Sequence, residues 1–439
     1  MFLASFAPIM KRILLSGAAL ISLWFNTAAQ DTLQLSRSQC EAIFLKENLS
    51  LLAERLNIPM AEAEVKQASL WPNPQFTLDE INLWATRHQT GGQEVSPPII
   101  GNWGRNQQYA VSVEQLIYTA GKRKKLMALQ SVGVDKAQQY FNDLLRNLKL
   151  ELRRQITALQ YLQLSEQTFQ TQLQSVNDLL RAYERQLDKG NIAATQVTRL
   201  QSKQFELQKE LYELQQQNNE VQKELKQLLH LPPQTLLKLD MDQFEKAITD
   251  EMIPTYQALV TEASAHRPDY KLTLLEKTYF EKSYTYEKAL RTPDVTINGS
   301  YDRNGSTMLN FVGFGASIDL PFFNKNQGNI RKAELGIQQA RTLAQQSLHQ
   351  VETEVAASYK SLLTAHNFHK AIDPLYLKRL DQSLEAHTRN FLSKNINMLE
   401  YLDFLESYQQ NKLSILDASR DLNNAVEEVN YVSGTELIH

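Results

Sequence analysis

The chain has one cysteine, Cys40, in 439 residues, and little glycine or proline, 15 and 13 respectively. A lone cysteine excludes an internal disulfide framework and any cysteine-built zinc or iron–sulfur site. Scarce glycine and proline predict long uninterrupted elements. An excess of one charge is missing too. The 46 Lys and Arg against 49 Asp and Glu leave a formal net charge of −3, which offers no electrostatic footprint to a nucleic-acid backbone. Catalytic signatures are absent: the chain has no nucleophile elbow, HExxH, dinucleotide fingerprint or Cys-His cluster. Gly121-Lys122 is no phosphate loop, because Leu116 stands where the first glycine belongs and Arg123 where Ser or Thr should follow. His366 and His369 share a helix face, but a pair without a third ligand does not make a metal site. No enzyme activity, cofactor or resident metal is expected.

Long apolar runs are confined to the N-terminus. Lys11 and Arg12 precede the run Ile13 to Phe25, and Thr27, Ala28 and Ala29 follow. This is the layout of a secretory signal peptide over residues 1–29, cleaved after Ala29 or Gln30, with Met10 as a second possible start. Cys40 lacks a lipid-anchor pattern before it. An exported chain with no later spanning run can enter a membrane only as strands.

The remainder is written twice, in order. "SQCEAIFLKENLSLLAERLNIPMAEAEVKQASLWPNPQFTL" from Ser38 is matched by "LVTEASAHRPDYKLTLLEKTYFEKSYTYEKALRTPDVTI" from Leu259, each a helix pair leading to a Pro-marked strand. "VSVEQLIYTAGKRKK" from Val111 is matched by "ASIDLPFFNKNQGNIRKA" from Ala316, with two residues inserted before Gly328. "LDKGNIAATQVTRLQ" from Leu187 aligns with "LSKNINMLEYLDFLE" from Leu392. The copies are residues 30–231 and 255–439, joined by 232–254 around Pro232 and Pro233.

Each copy predicts very long helices. From Lys122 to Lys189 there is no proline and only Gly133 as glycine, so one helix of roughly 100 Å is expected. Phe169, Leu173, Val176, Leu180, Tyr183 and Leu187 alternate steps of four and three, the seam of a coiled coil. The return helix continues it from Leu200 to Leu228, interrupted by Gln204 and Asn218. In the second copy Leu377, Leu380, Leu384, His387 and Phe391 follow a kink expected at Pro374. Between the helices lie two candidate hairpins, "PQFTLDEINLW" with "QQYAVSVEQLIY" and "PDVTINGSYDR" with "MLNFVGFGASIDL". Val295, Ile297 and Tyr301 alternate with polar residues, as do Phe314, Ala316, Ile318 and Leu320. Such alternation marks a transmembrane barrel or, equally, a half-buried strand pair. Two hairpins cannot close a barrel, which needs about eight strands, so a barrel must be completed by other copies of the chain.

Taken together, the duplication, the helices and the motifs "LWPNPQFTLDE", "TAGKRKK" and "PFFNKNQGNIRKAE" resemble the TolC family of outer-membrane efflux channels over essentially the whole mature chain. The motifs are most similar to the CzcC branch, which serves heavy-metal pumps of the resistance-nodulation-division type; Lys325 replaces that branch's usual Arg. The resemblance implies a mainly α fold with a small β part. Duplicated long-helix hairpins form a trimeric α-barrel, and each protomer gives four strands to a shared transmembrane β-barrel in outer-membrane lipid. Implied partners are two further copies, a periplasmic adaptor and an inner-membrane proton-driven pump. Heavy-metal cations are the implied cargo, with organic compounds or type I secretion as the rival, and a soluble coiled-coil interaction protein as the rival outside the class.

Three sets of residues follow. Glu400 and Asp403, three apart on one helix face, match the segment that carries paired carboxylates at the family's aperture, where symmetry would repeat them as a cation-favouring ring. The helix–helix turns would meet the adaptor: Gly190, Asn191, Ile192 and Thr195 in the first copy, Asn395, Ile396, Asn397 and Leu399 in the second. Gly121, Lys122 and Arg123, and Asn324, Lys325, Asn326, Gln327 and Gly328, are the expected strand-to-helix turns, with Arg331 at the charged helix start and Phe322 and Phe323 in the aromatic girdle at the membrane interface.

Overall fold

A computed structural model describes residues 32–241, 244, 248–305 and 308–438; the expected signal peptide lies outside them. In chain order the elements are β1 (Thr32–Leu35), α1 (Arg37–Glu47), α2 (Leu49–Arg55), α3 (Asn57–Ala68), β2 (Gln75–Asn82), α4 (Arg87–Thr90) and β3 (Gln108–Ile117). Then come α5 (Lys122–Asp188), α6 (Ala194–Leu229), β4 (Leu236–Leu239), a 3-10 turn at Asp250–Met252, α7 (Tyr256–His266) and α8 (Pro268–Leu290). The last are β5 (Val295–Arg303), β6 (Phe311–Ile318), α9 (Gln327–Lys370), α10 (Pro374–Leu392) and α11 (Met398–Ser433). No helix among the described residues is long and apolar enough to cross a membrane.

Two compact units form, and each draws on both copies. One comprises the described residues of 32–49, Leu148–Met252 and Ser361–Glu428. Its core is the seam expected from the sequence: Phe169, Val176, Leu180, Leu200, Leu207, Leu384 and Phe391 are buried, with Leu173, Tyr183 and Leu187 packed against them. α1 starts from a capping box in which Ser36 and Gln39 satisfy each other's backbone N–H groups. It buries Cys40, whose thiol is pushed up to about 12 by burial, with Glu41 and Asp240 adding to the effect. Arg153 on α5 ties α1 to α11 through Glu41 and Glu427, at 2.8 Å each. A parallel pair of β1 with β4 has no counterpart in the sequence reading.

The second unit comprises the described residues of Ser50–Asn147, Ile253–Lys360 and 429–438. It holds one antiparallel sheet in the order β2-β3-β5-β6. Register decides which side chains share a face. Phe76 opposes Val113, which opposes Gly299, which opposes Phe314; Leu78, Val111, Tyr301 and Val312 form the next row. The reverse face carries Thr77, Ser112, Ser300 and Gly313, then Gln75, Glu114, Asn298 and Gly315. Over these rows one face is apolar and the other polar; Gln115 and Arg303 interrupt the first face, and Leu116 and Phe311 the second. Phe314 on the apolar face is 88% exposed. Both edge strands, β2 and β6, have an unpaired side among the described residues. In the same unit α9 lies so close to α8 that a methyl group on Gly336 would collide with the Phe280 ring.

Several expectations need correction. The first helix pair is three helices, α1 to α3, broken at Asn48 and Leu56. The kink at Pro374 is a complete break: α9 stops at Lys370, Asp373 is extended and caps α10, and Pro374 opens it. That follows from the exclusion of the residue before proline from the α region. Lys122, Arg123, Gln327 and Gly328, expected in turns, already belong to helices. Hence the second helix starts at Gln327, before Arg331.

Candidate functional site

The two helix–helix tips, both in the first unit, have one backbone. At the first, Gly190 is left-handed (φ 73°), its N–H donates to Leu187 O at 2.8 Å, and Asn191 N–H donates to Gln186 O at 2.9 Å. At the second, Lys394 is left-handed (φ 61°), its N–H donates to Phe391 O at 3.0 Å, and Asn395 N–H donates to Asn390 O at 2.9 Å. This closing pattern satisfies the last carbonyls of a helix. It pairs Gly190 with Lys394, Asn191 with Asn395 and Ile192 with Ile396, one residue away from the alignment that matched Leu187 with Leu392. Ile192 and Ile396 pack on the hydrophobic core. Gly190, Asn191, Thr195, Asn395, Asn397 and Leu399 are exposed.

Glu400 and Asp403 are both exposed on the first turns of α11. Glu400 has a local task that the sequence reading missed. Its carboxylate accepts the Asn397 N–H at 3.0 Å while Asn397 Oδ1 accepts the Glu400 N–H at 3.0 Å, a reciprocal helix cap. Between the two acids Tyr401 turns inward and is fully buried. Its ring stacks on Phe391 at 4.6 Å, and Phe391 stacks on Tyr183 of α5 at 5.4 Å. His387 stacks on Phe404 at 3.8 Å beside this ladder. Every ring of it lies on the heptad seam or one turn from it, which is the signal that could have found it. Burial raises the Tyr401 hydroxyl above the usual tyrosine range.

The strand-to-helix joints, in the second unit, explain the motif residues. Ala120 and Gly121 are consecutive left-handed residues (φ 51° and 66°) that turn the chain after β3. Lys122 is buried and its ammonium meets Asp294 at 2.7 Å, just before β5. Thr119 N–H donates to the same carboxylate at 2.9 Å. Arg123 lies over the Trp71 ring at 4.1 Å and donates to Ser69 O at 3.0 Å. At the other joint Asn326 (φ 56°) donates to Glu287 O at 3.0 Å, binding the start of α9 to α8. Asn324 Oδ1 accepts the Asn326 N–H at 3.0 Å and Gln327 Oε1 accepts the Lys325 N–H at 2.8 Å, while Gly328 sits in open space. The polar face of the sheet ends here in a recess of about 570 Å³ lined by Lys122, Asp294, Thr296, Ser317 and Asp319. Phe322 and Phe323 are exposed.

No group of three or more metal-ligating side chains occurs among the described residues. His366 is buried and hydrogen-bonds Asp250 at 2.7 Å, and it is more deeply packed than His369.

A family model described as "Outer membrane efflux protein" matches residues 43–229 and again 259–435. No curated protein matches the sequence. Among solved structures, the chain is similar to a membrane protein from Pseudomonas aeruginosa (TM-score 0.71, 16% identity, 90% of this chain and 92% of that one). It is also similar to CusC (0.68, 16%, 91% and 92%) and to the CmeC outer membrane channel of Campylobacter jejuni (0.68, 13%, 91% and 85%).

Proposed function

The chain belongs to the outer membrane efflux protein family, and on that premise we propose that it is the heavy-metal cation duct of a three-component export system. It is an outer-membrane channel with a long helical periplasmic part, and not an enzyme. The observation that carries the proposal is the two-faced sheet with two open edges. An apolar face suits lipid, a polar face suits a water-filled lumen, and unpaired edges call for closure by further copies. Three copies joined β6 to β2 close the barrel. The tips at Gly190–Thr195 and Asn395–Leu399 dock a periplasmic adaptor, and a proton-driven inner-membrane pump supplies the energy that this chain has no residues to supply.

Glu400 and Asp403 ring the aperture of that assembly. Their exposure on the first turns of α11 supports this role. The cation class is supported by the likeness of Leu70–Glu80, Thr119–Lys125 and Pro321–Glu334 to the CzcC branch. Deleting the gene and challenging cells with zinc, cobalt, cadmium, copper and hydrophobic drugs tests it. Hypersensitivity to metals is expected; hypersensitivity to drugs alone would transfer the channel to organic cargo. In planar bilayers, Glu400→Gln with Asp403→Asn should weaken block by multivalent cations severalfold, and unchanged block and conductance would remove the ring.

A further inference from the structure

The segment between the copies is anchored to helix after helix of the first unit. Gln222 on α6 donates to Leu237 O at 2.7 Å and accepts the Leu237 N–H at 3.0 Å. On α5, Gln163 accepts the Leu239 N–H at 3.2 Å and Gln160 donates to Asp240 O at 2.6 Å. On α11, Asn423 donates to the carbonyl of the buried Phe244 at 2.8 Å. All of these are neutral amides gripping backbone. The contact with α9 is of another kind. Asp250 receives Lys370 on Oδ2 at 2.7 Å and shares a hydrogen bond with His366 through Oδ1 at 2.7 Å. It is charged, it involves side chains alone, and the Asp250 and Lys370 side chains are 67% and 60% exposed. Lys370, followed by His366, holds the Asp250 carboxyl below the usual carboxylate range.

Its position gives it consequence. Lys370 is the last residue of α9, and residues 371–373 are the break before α10. From that break α10 runs to the second tip, and through it to Glu400 and Asp403 on α11. Apart from Lys226 on α6, whose ammonium donates to Pro233 O at 3.1 Å, neutral amides hold the segment to three helices, while an ion pair between side chains meets the fourth at its hinge.

We propose that Asp250, His366 and Lys370 form a releasable catch at the α9–α10 hinge, which holds the α10/α11 hairpin in its resting position and thereby biases the aperture. The three are positioning residues and touch nothing that passes through the channel. An exposed ion pair stabilises weakly, and weakness is what a catch requires: it shifts an equilibrium without freezing it. His366, 3% exposed, supplies the fixed wall against which Asp250 sets. The inference rests on the reading of the second tip as the aperture.

The test uses the purified full chain carrying Asp250→Asn, Lys370→Met or both. Each single variant should raise open probability in planar bilayers about two- to fivefold, the range expected of a weak exposed pair. The double variant should do no more than either single one, since both remove the same contact. Backbone hydrogen exchange over residues 371–376 should accelerate in parallel, and Asp250→Glu should restore wild-type values. Unchanged exchange and unchanged opening would overturn the catch, as would fully additive effects accompanied by a lowered melting temperature, which belong to a general staple. Faster exchange at 371–376 in a protein that conducts nothing even as wild type would uphold the catch and overturn the channel reading instead.

Discussion

The first and second tips close with the same hydrogen bonds and differ in nearly everything else. At the first, glycine takes the left-handed position, the return helix starts from Ala193 without a side-chain cap, and small residues follow. At the second, a lysine is held left-handed, Asn397 and Glu400 cap the helix reciprocally, and a fully buried tyrosine stands where the first tip buries Val197. Duplication preserved the path of the chain while the chemistry diverged. The second hairpin carries the acids Glu400 and Asp403 on its return helix and the buried Tyr401 between them, and its outgoing helix begins after a break at residues 371–373.

That asymmetry can be broken at graded cost. Tyr401→Ala removes the centre of the ladder and should lower hydrogen-exchange protection of the second tip by about 3–5 kcal/mol. Val197→Ala should cost the first tip only about 2 kcal/mol; equal losses would mean that the tips are packed alike. Asn397→Ala should cost about 1 kcal/mol through the lost cap. Ala193→Asn should bring part of that to the first tip, and a flat response in helix-terminal exchange at both sites would deny the cap its role. The smallest effect concerns the left-handed residues. Lys394→Gly should stabilise by about 0.5–1 kcal/mol, and Gly190→Ala should destabilise by a similar amount, as read from thermal unfolding in detergent.

Periodicity made the long elements legible. The seam from Phe169 to Leu187 and the alternation in β5 and β6 are repeated many times over, so single exceptions do not hide them. What escaped were features that depend on a few distant residues. The β1 and β4 strands have four residues each and pair Thr32 with Leu236, a contact no local pattern announces. Lys122 was readable as a motif residue, but its partner Asp294 lies in the other copy. The break at Asn48 occurs without glycine or proline, the break at Leu56 is signalled only by Pro59 in the first turn of the next helix, and the register of the second tip was misjudged because lysine occupies a position where glycine is the usual signal. Glu400 was legible as an acid near the tip; its cap depended on where α11 begins, and helix ends are the least certain part of any pattern.

Cys40 gives the protein an internal gauge of its own integrity. Burial in the packed helix pushes its thiol up to about 12, so the folded chain holds it as the neutral thiol at neutral pH. Oxidants and disulfide carriers that act on thiolates will pass over the folded chain, and a membrane crowded with copies will not cross-link through it. An unfolded chain recovers ordinary thiol reactivity. The rate at which Cys40 accepts a thiol reagent therefore counts openings of the α1 region directly, without any residue having to be introduced.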